Sequence, residues 1–278
     1  MKKIITAAFL VACFSNVLLG QTNITIGQNT LINMSIPIEP YYGYTYSQSI
    51  YLASEIGTSG TISGISWQLN NTSPILENSD EWTIYIAHTS KPSFTSSEDW
   101  VTVSNLTQVY SGTSLNAPDA GGWIYFDITD FEYNGKNNLI IAVDENASGY
   151  DDPSQNFYCS STSSNRSLTY INDDNNPDPT NLSESGSILS NISNLRLSMI
   201  VPLGGAPENV TIVATSSQPV ISWNPVSGAF YYKVYSSVVP YSTFPTGWTL
   251  ENAHVTGTTW TDTSGMSSKK FYVVIAAN

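Results

Sequence analysis

The sequence is short of charge, and of basic charge above all. Only 11% of its 278 residues are charged, less than half of the usual share of about 25%. Acidic residues outnumber basic ones 22 to 9, for a net charge of −13. Such a chain repels phosphate backbones and anionic bilayers, which excludes nucleic acid and lipid surfaces as partners. Solubility is left to Ser, Thr and Asn. Cysteine is almost absent. Of the two, Cys13 lies in the N-terminal apolar run and Cys159 stands alone, so no internal disulfide can form in the exported chain, even in an oxidising compartment. The two histidines, His88 and His254, fall in different parts of the chain. No Gly-x-Ser-x-Gly elbow, His-Glu-x-x-His, P-loop or dinucleotide fingerprint occurs. No periodic pattern supports a helix longer than one turn, and the candidate for that turn is Thr95-Ser96-Ser97-Glu98, which has capping-box spacing.

What is present begins with an export signal at residues 1–20. Lys2 and Lys3 form its positive end, and residues 4–19 form an apolar stretch. The run is short for a membrane span and has no positive charges after it. Gln21 stands where a lipidated cysteine would be needed. We therefore expect a cleaved signal, a secreted or cell-surface protein and no membrane insertion of the mature chain. Loss of Lys2 and Lys3 leaves seven basic residues and a net charge of −15.

With 41% hydrophobic and 12% aromatic residues the chain has ample material for a core. Its organising stretch is WIYFDITDFEYNGKNNLIIAV, residues 123–143. Trp123, Tyr125 and Asp127 alternate with Ile124, Phe126 and Ile128, the period of a half-buried strand. Asn134-Gly135 is a tight-turn signal, so the stretch reads as a hairpin. Leu139 to Val143 has no polar face and is expected as a central strand covered on both sides. Further strands are expected at 22–26, 48–52, 61–69, 82–87, 106–111, 157–159, 167–171 and 195–201. Short strands separated by turn signals point to an all-β, antiparallel, jelly-roll-like sandwich over residues 22–202. Residues 203–207, Leu-Gly-Gly-Ala-Pro, read as a linker. Strands at 210–214, 220–223, 231–236, 258–261 and 271–276 then make a smaller sandwich over 208–278.

Two resemblances follow from these strands. Val220-Ile221-Ser222-Trp223-Asn224-Pro225, Tyr232-Lys233-Val234-Tyr235 and Phe271-Tyr272-Val273-Val274 make the tail resemble an immunoglobulin-like fibronectin type III module. The resemblance implies that Trp223 packs against Tyr232 or Val234 and against Phe271 or Val273. It also implies that the family's last strand is missing here. The larger region resembles the N-terminal domains of secreted surface proteins from Bacteroidetes-like bacteria. That resemblance rests on Tyr46-Ser47-Gln48-Ser49-Ile50-Tyr51-Leu52, Gly60-Thr61-Ile62-Ser63-Gly64-Ile65, Trp82-Thr83-Ile84-Tyr85 and Asn138-Leu139-Ile140-Ile141-Ala142-Val143-Asp144. It implies an adhesin or carbohydrate-binding context and assigns no catalytic residues. The sorting domain with which such proteins end has no counterpart here, implying a shortened form or another route out of the cell.

Two groups of residues are candidate sites. Tyr41, Tyr42, Tyr44 and Tyr46 precede the strand at 48–52; their rings suit either a sugar-stacking platform or a lid over the sandwich. Asp144, Glu145, Asp151 and Asp152 lie in one acidic, Asn-rich loop (144–156), and Asp173, Asp174 and Asp178 in another (172–181). Calcium takes six to eight oxygen ligands of this kind, so a structural calcium ion is the cofactor to look for. The plain alternative is two solvated loops. His88 is expected at the surface after its strand, and Cys159 as a buried, inert thiol. The whole reads as a secreted, monomeric, non-enzymatic module that binds a glycan or an extracellular protein surface. The competing reading is a carbohydrate-active or proteolytic enzyme, or an accessory domain of one.

Overall fold

The structure is a computed structural model that describes residues 19–32, 34–70, 76–113, 115–119, 121–202, 205–215, 218–239, 244–264 and 270–277. Residues 1–18 of the expected signal and Leu203-Gly204 of the expected linker lie outside the described residues. The chain is nearly all β and divides into two compact units, Thr22–Ile200 and one containing Val201–Asn278.

The larger unit carries β1 (Leu19–Ile26), β2 (Tyr44–Tyr51), β3 (Gly60–Gln68), β4 (Trp82–Thr89), β5 (Thr107–Gly112), β6 (Trp123–Tyr133) and β7 (Asn138–Glu145). There follow β8 (Cys159–Ser161), β9 (Ser167–Asn172), β10 (Ser187–Leu189), β11 (Asn191–Ser193) and β12 (Leu195–Pro202). One sheet has the order β1-β12-β3-β6 and the other β10-β9-β2-β7-β4-β5. The neighbours nest: β4 with β5, β3 with β6, β2 with β7, β1 with β12. That nesting is what rolling one long antiparallel hairpin into two sheets produces, the jelly-roll arrangement. The short strands β8 to β11 are inserted before the closing strand, and β9 widens the second sheet beside β2.

Aromatic side chains join the two sheets. Trp67 of β3 and Phe126 of β6 meet Trp82 of β4 at ring distances of 5.7 and 4.9 Å, and all three are buried. Strand β7 lies between β2 and β4, and its apolar run is covered on both faces, as expected. Phe94, Trp100, Val101 and Leu106 form the outer cover over Ile140.

Two expectations are overturned. The stretch 123–143 is not a hairpin: β6 belongs to one sheet and β7 to the other. The half-polar β6 suits a sheet with a wet face, whereas the wholly apolar β7 needs the centre of the covered sheet. The Asn134-Gly135 turn (Gly135 φ 68°) therefore carries the chain between sheets. The helical turn at 95–98 does not form either. The Asp99 carboxylate accepts the Thr95 N–H (2.8 Å) and hydroxyl (2.9 Å) instead. The four-residue α1 (Ala53–Ile56) stands after β2 and is stopped by Gly57 at φ 74°.

The smaller unit holds β13 (Thr211–Thr215), β14 (Gln218–Ser222), β15 (Tyr231–Ser237), β16 (Thr249–Val255), β17 (Thr259–Thr261) and β18 (Phe271–Ala277). They form sheets β13-β14-β17 and β16-β15-β18. The core between them gathers Ile221, Trp223, Tyr232, Val234, Val255, Val274 and Ala276. Trp223 meets Tyr232 edge-on at 5.2 Å. The β18 members of this buried core are Val274 and Ala276, where Phe271 or Val273 was expected. The register sets Val274 opposite Val234 and Ala276 opposite Tyr232, and alternation sends the odd-numbered residues of β18 to the other face.

Candidate functional site

The tyrosine cluster is divided by where strand β2 begins. The strand starts at Tyr44, four residues before the expected 48, which takes Tyr46 into the covered sheet. Tyr46 is 1% exposed, packs on Trp100 at 5.3 Å and accepts a hydrogen bond from Gln48 Nε2 (3.0 Å). Burial holds its hydroxyl far above the usual phenol range. Tyr46 is a core residue, not a ligand platform. Tyr44 is half-buried opposite Asn172. Tyr41 is 49% exposed and meets Tyr42 and Tyr150 edge-to-face, each at 6.1 Å. Tyr150 is 65% exposed.

Tyr41 and Tyr150 together help to line an open cleft of about 450 Å³, with Glu77, Asn78, Asp151, Asp152, Pro153 and Gln155. The volume falls in the roughly 300–1,000 Å³ range of small-ligand sites. Hydrogen bonds hold the wall together. The Asp151 N–H donates to the Pro40 carbonyl (2.7 Å), and Asn78 donates to the Asp151 carboxylate from its backbone and side-chain nitrogens, each at 3.3 Å. The cavity thus unites Tyr41, Asp151 and Asp152, which sequence reasoning had placed in two unrelated groups. Tyr150, Glu77, Asn78 and Gln155 were missed. The one available signal for Tyr150 was an aromatic between Gly149 and Asp151 in an otherwise polar loop.

The acidic group is divided too. Asp144 and Glu145 are not in a loop: they are the last two residues of β7 and are 5% and 0% exposed. Two hydrogen-bonded neighbours extend the sheet to this point, with Glu145 opposite Thr45 and Trp82, and Asp144 opposite Tyr46 and Thr83. Burial pushes the Asp144 carboxyl up to about 7, against a hydrogen bond from Asn146 and with Asp178 and Glu81 adding to the rise. Burial pushes Glu145 up to about 9, against the Ala147 N–H bond (2.8 Å), with Asp144, Asp151 and Asp80 adding. One oxygen of each, Asp144 Oδ1 and Glu145 Oε2, has no hydrogen-bond partner. The two expected loops do meet, through Asn176 Nδ2 donating to Asn146 Oδ1 (2.8 Å). Asp173 accepts the Gly43 N–H (3.2 Å) and Asp178 that of Thr180 (2.9 Å). Among the described residues no three His, Cys, Asp or Glu side chains are gathered as a metal cage.

The histidines and Cys159 lie apart from this cleft's lining. His88 lies inside β4 rather than after it. Its Nε2 accepts the Asn134 N–H (3.0 Å) and its ring stacks on Tyr133 at 5.7 Å, so it fastens the crossover turn; burial lowers its pKa. His254 stacks on Tyr231 at 4.3 Å. Cys159 is buried, and desolvation pushes its thiol up to about 12. Asp144 and Glu145, as consecutive strand residues, face opposite sides of the sheet and do not flank one bond.

No family model matches this chain, and no curated protein matches it. Among solved structures, the chain is similar to a β-glucuronidase from Ruminococcus gnavus in complex with D-glucuronic acid, at 12% identity and a TM-score of 0.22. The match covers 86% of this chain and 31% of that one. A β-1,2-glucanase from Parabacteroides distasonis is similar at 12% identity and a TM-score of 0.23, over 94% of this chain and 34% of that one. This chain therefore spans about a third of each, and at these scores the likeness carries no argument about fold or function.

Proposed function

We propose that this chain is a secreted, non-enzymatic binding or adhesion module that takes a carbohydrate in the open cleft that Tyr41 and Tyr150 help to line. The observation that carries the reading is that pair of exposed rings beside a wall of carboxylates and amides. Flat amphipathic rings stack on sugar faces, and convergent polar groups accept and donate to hydroxyls. Glu77, Asp151 and Asp152 make neutral or amino sugars the fitting class and disfavour uronates. The engagement of His88 and the inert Cys159 support a binding role over hydrolysis. The fibronectin type III reading of the tail is supported by its three-plus-three strands around Trp223 and Tyr232, and it fits a module that spaces a binding domain.

The test is an array of neutral and amino-sugar oligosaccharides probed with the full chain, followed by titration of the best ligand. Tyr41→Ala and Tyr150→Ala should each weaken binding about tenfold, some 1.4 kcal/mol, while Tyr44→Ala leaves it unchanged. Binding that ignores both cavity tyrosines, or hydrolysis of the ligand, would refute the reading.

A further inference from the structure

Strand β7 ends with a carboxylate that the fold does not satisfy. Glu145 is fully buried on the inner side of the second sheet, beside Trp82. Its Oε1 accepts the Ala147 N–H, while Oε2 accepts nothing. As a carboxylate, a buried acid in that condition is costly unless a positive charge completes it. Among the described residues no ion pair supplies one: those present use Lys91, Arg166, Arg196 and Lys270, all with other acids. The groups within electrostatic reach of Glu145 are Asp144, Asp151 and Asp80, and each adds negative charge.

Hydrogen bonds fix the surrounding loops against one another. Asp151 and Ser79 both donate to the Pro40 carbonyl, at 2.7 and 3.2 Å. Asn146 N–H donates to the Glu81 carbonyl at 2.8 Å. Three loops thereby converge beside the end of β7. The bonds that the Asp151 carboxylate accepts from Asn78 are long, each 3.3 Å.

We propose that Glu145 and Asp151 bind a calcium ion at this end of the larger unit, with carbonyl oxygens of the neighbouring loops and water completing its shell. Calcium accepts carboxylate, carbonyl and water oxygens in a flexible shell of six to eight, so two acids suffice where no three are gathered. Magnesium demands a stricter octahedron, and zinc favours nitrogen and sulfur. The proposal does not depend on the carbohydrate reading, although Asp151 also lines that cavity.

The test uses the full chain without any glycan. Terbium should bind and show emission sensitised by Trp82, calcium should displace it, and calcium should raise the thermal midpoint above that in EGTA. Glu145→Gln and Asp151→Asn should each abolish the sensitised emission and the calcium-dependent shift. Asp173→Asn, in the other acidic loop, should keep both. If Glu145→Gln fails to fold, Asp151→Asn decides alone, because Asp151 lies in a loop at the rim. Absence of sensitised emission and of any calcium shift in the unmodified chain would overturn the proposal. So would full retention of both in Asp151→Asn.

Discussion

Two buried carboxylates, one in each unit, are treated in opposite ways. Asp262 of the smaller unit is 1% exposed and its oxygens are answered from within. Lys270 Nζ and the Tyr272 hydroxyl reach Oδ2 at 2.6 and 2.7 Å, and the Ser264 N–H and hydroxyl reach Oδ1 at 2.8 and 2.6 Å. Lys270 is shared with Glu251 at 2.9 Å. Burial alone would raise the Asp262 carboxyl, but the bonds from Lys270, Ser264 and Tyr272 outweigh it and hold the group far below the usual carboxylate range. Glu145 of the larger unit is buried as completely, keeps one oxygen without a partner and is pushed upward. The contrast teaches that burial does not decide what an acid does. A closed network keeps it ionised as a fastening, and an open one leaves it either protonated or in need of a partner from outside.

The sharpest way to break the smaller unit is at its core. Trp223→Ala should cost about 3–5 kcal/mol, more than a core of this size can lose while staying folded. Trp248, half-exposed at the end of the turn before β16, should tolerate alanine with a much smaller loss. Thermal unfolding of both variants in the full chain checks this, and a larger loss at Trp248 would show that the core is misassigned.

Next in size is the fastening itself. Asp262→Asn removes the charge that Lys270 and Tyr272 answer, and should cost about 3 kcal/mol. The pH dependence follows from the sign of the shift. The folded-state pKa lies below the unfolded value of about 3.9, so this stabilisation is fully present above that value and is lost as pH falls below it. Acid titration of unfolding stability should show that loss in the parent and a flatter profile in Asp262→Asn. Identical acid profiles would mean that Asp262 is not the fastening.

How much of this was legible in the sequence depends on which force set the outcome. The apolar run Leu139 to Val143 declared a central strand because burial on both faces leaves a plain pattern. The Trp223 core was legible in the same way, short of a one-residue parity that only the register with β15 fixes. The crossover after Asn134-Gly135 was not, since a turn signal states that the chain bends and not which sheet receives it. Asp144 and Glu145 read as loop because their residue type favours water. Their burial comes from the two neighbouring strands that extend the sheet past the apolar run, a tertiary fact. Tyr46 was misread for the same reason. The cavity joins residues more than a hundred positions apart in sequence, Tyr41 and Tyr150, and no local pattern announces such a meeting.

The most direct measurement is amide hydrogen exchange on the full chain, followed peptide by peptide in calcium and in EGTA. If the larger unit's buried acid is completed from outside and the smaller unit's from within, calcium should slow exchange across residues 138–156. It should leave residues 259–277 as they were. Equal exchange across 138–156 in the two buffers, or the same slowing in both regions, would contradict the account.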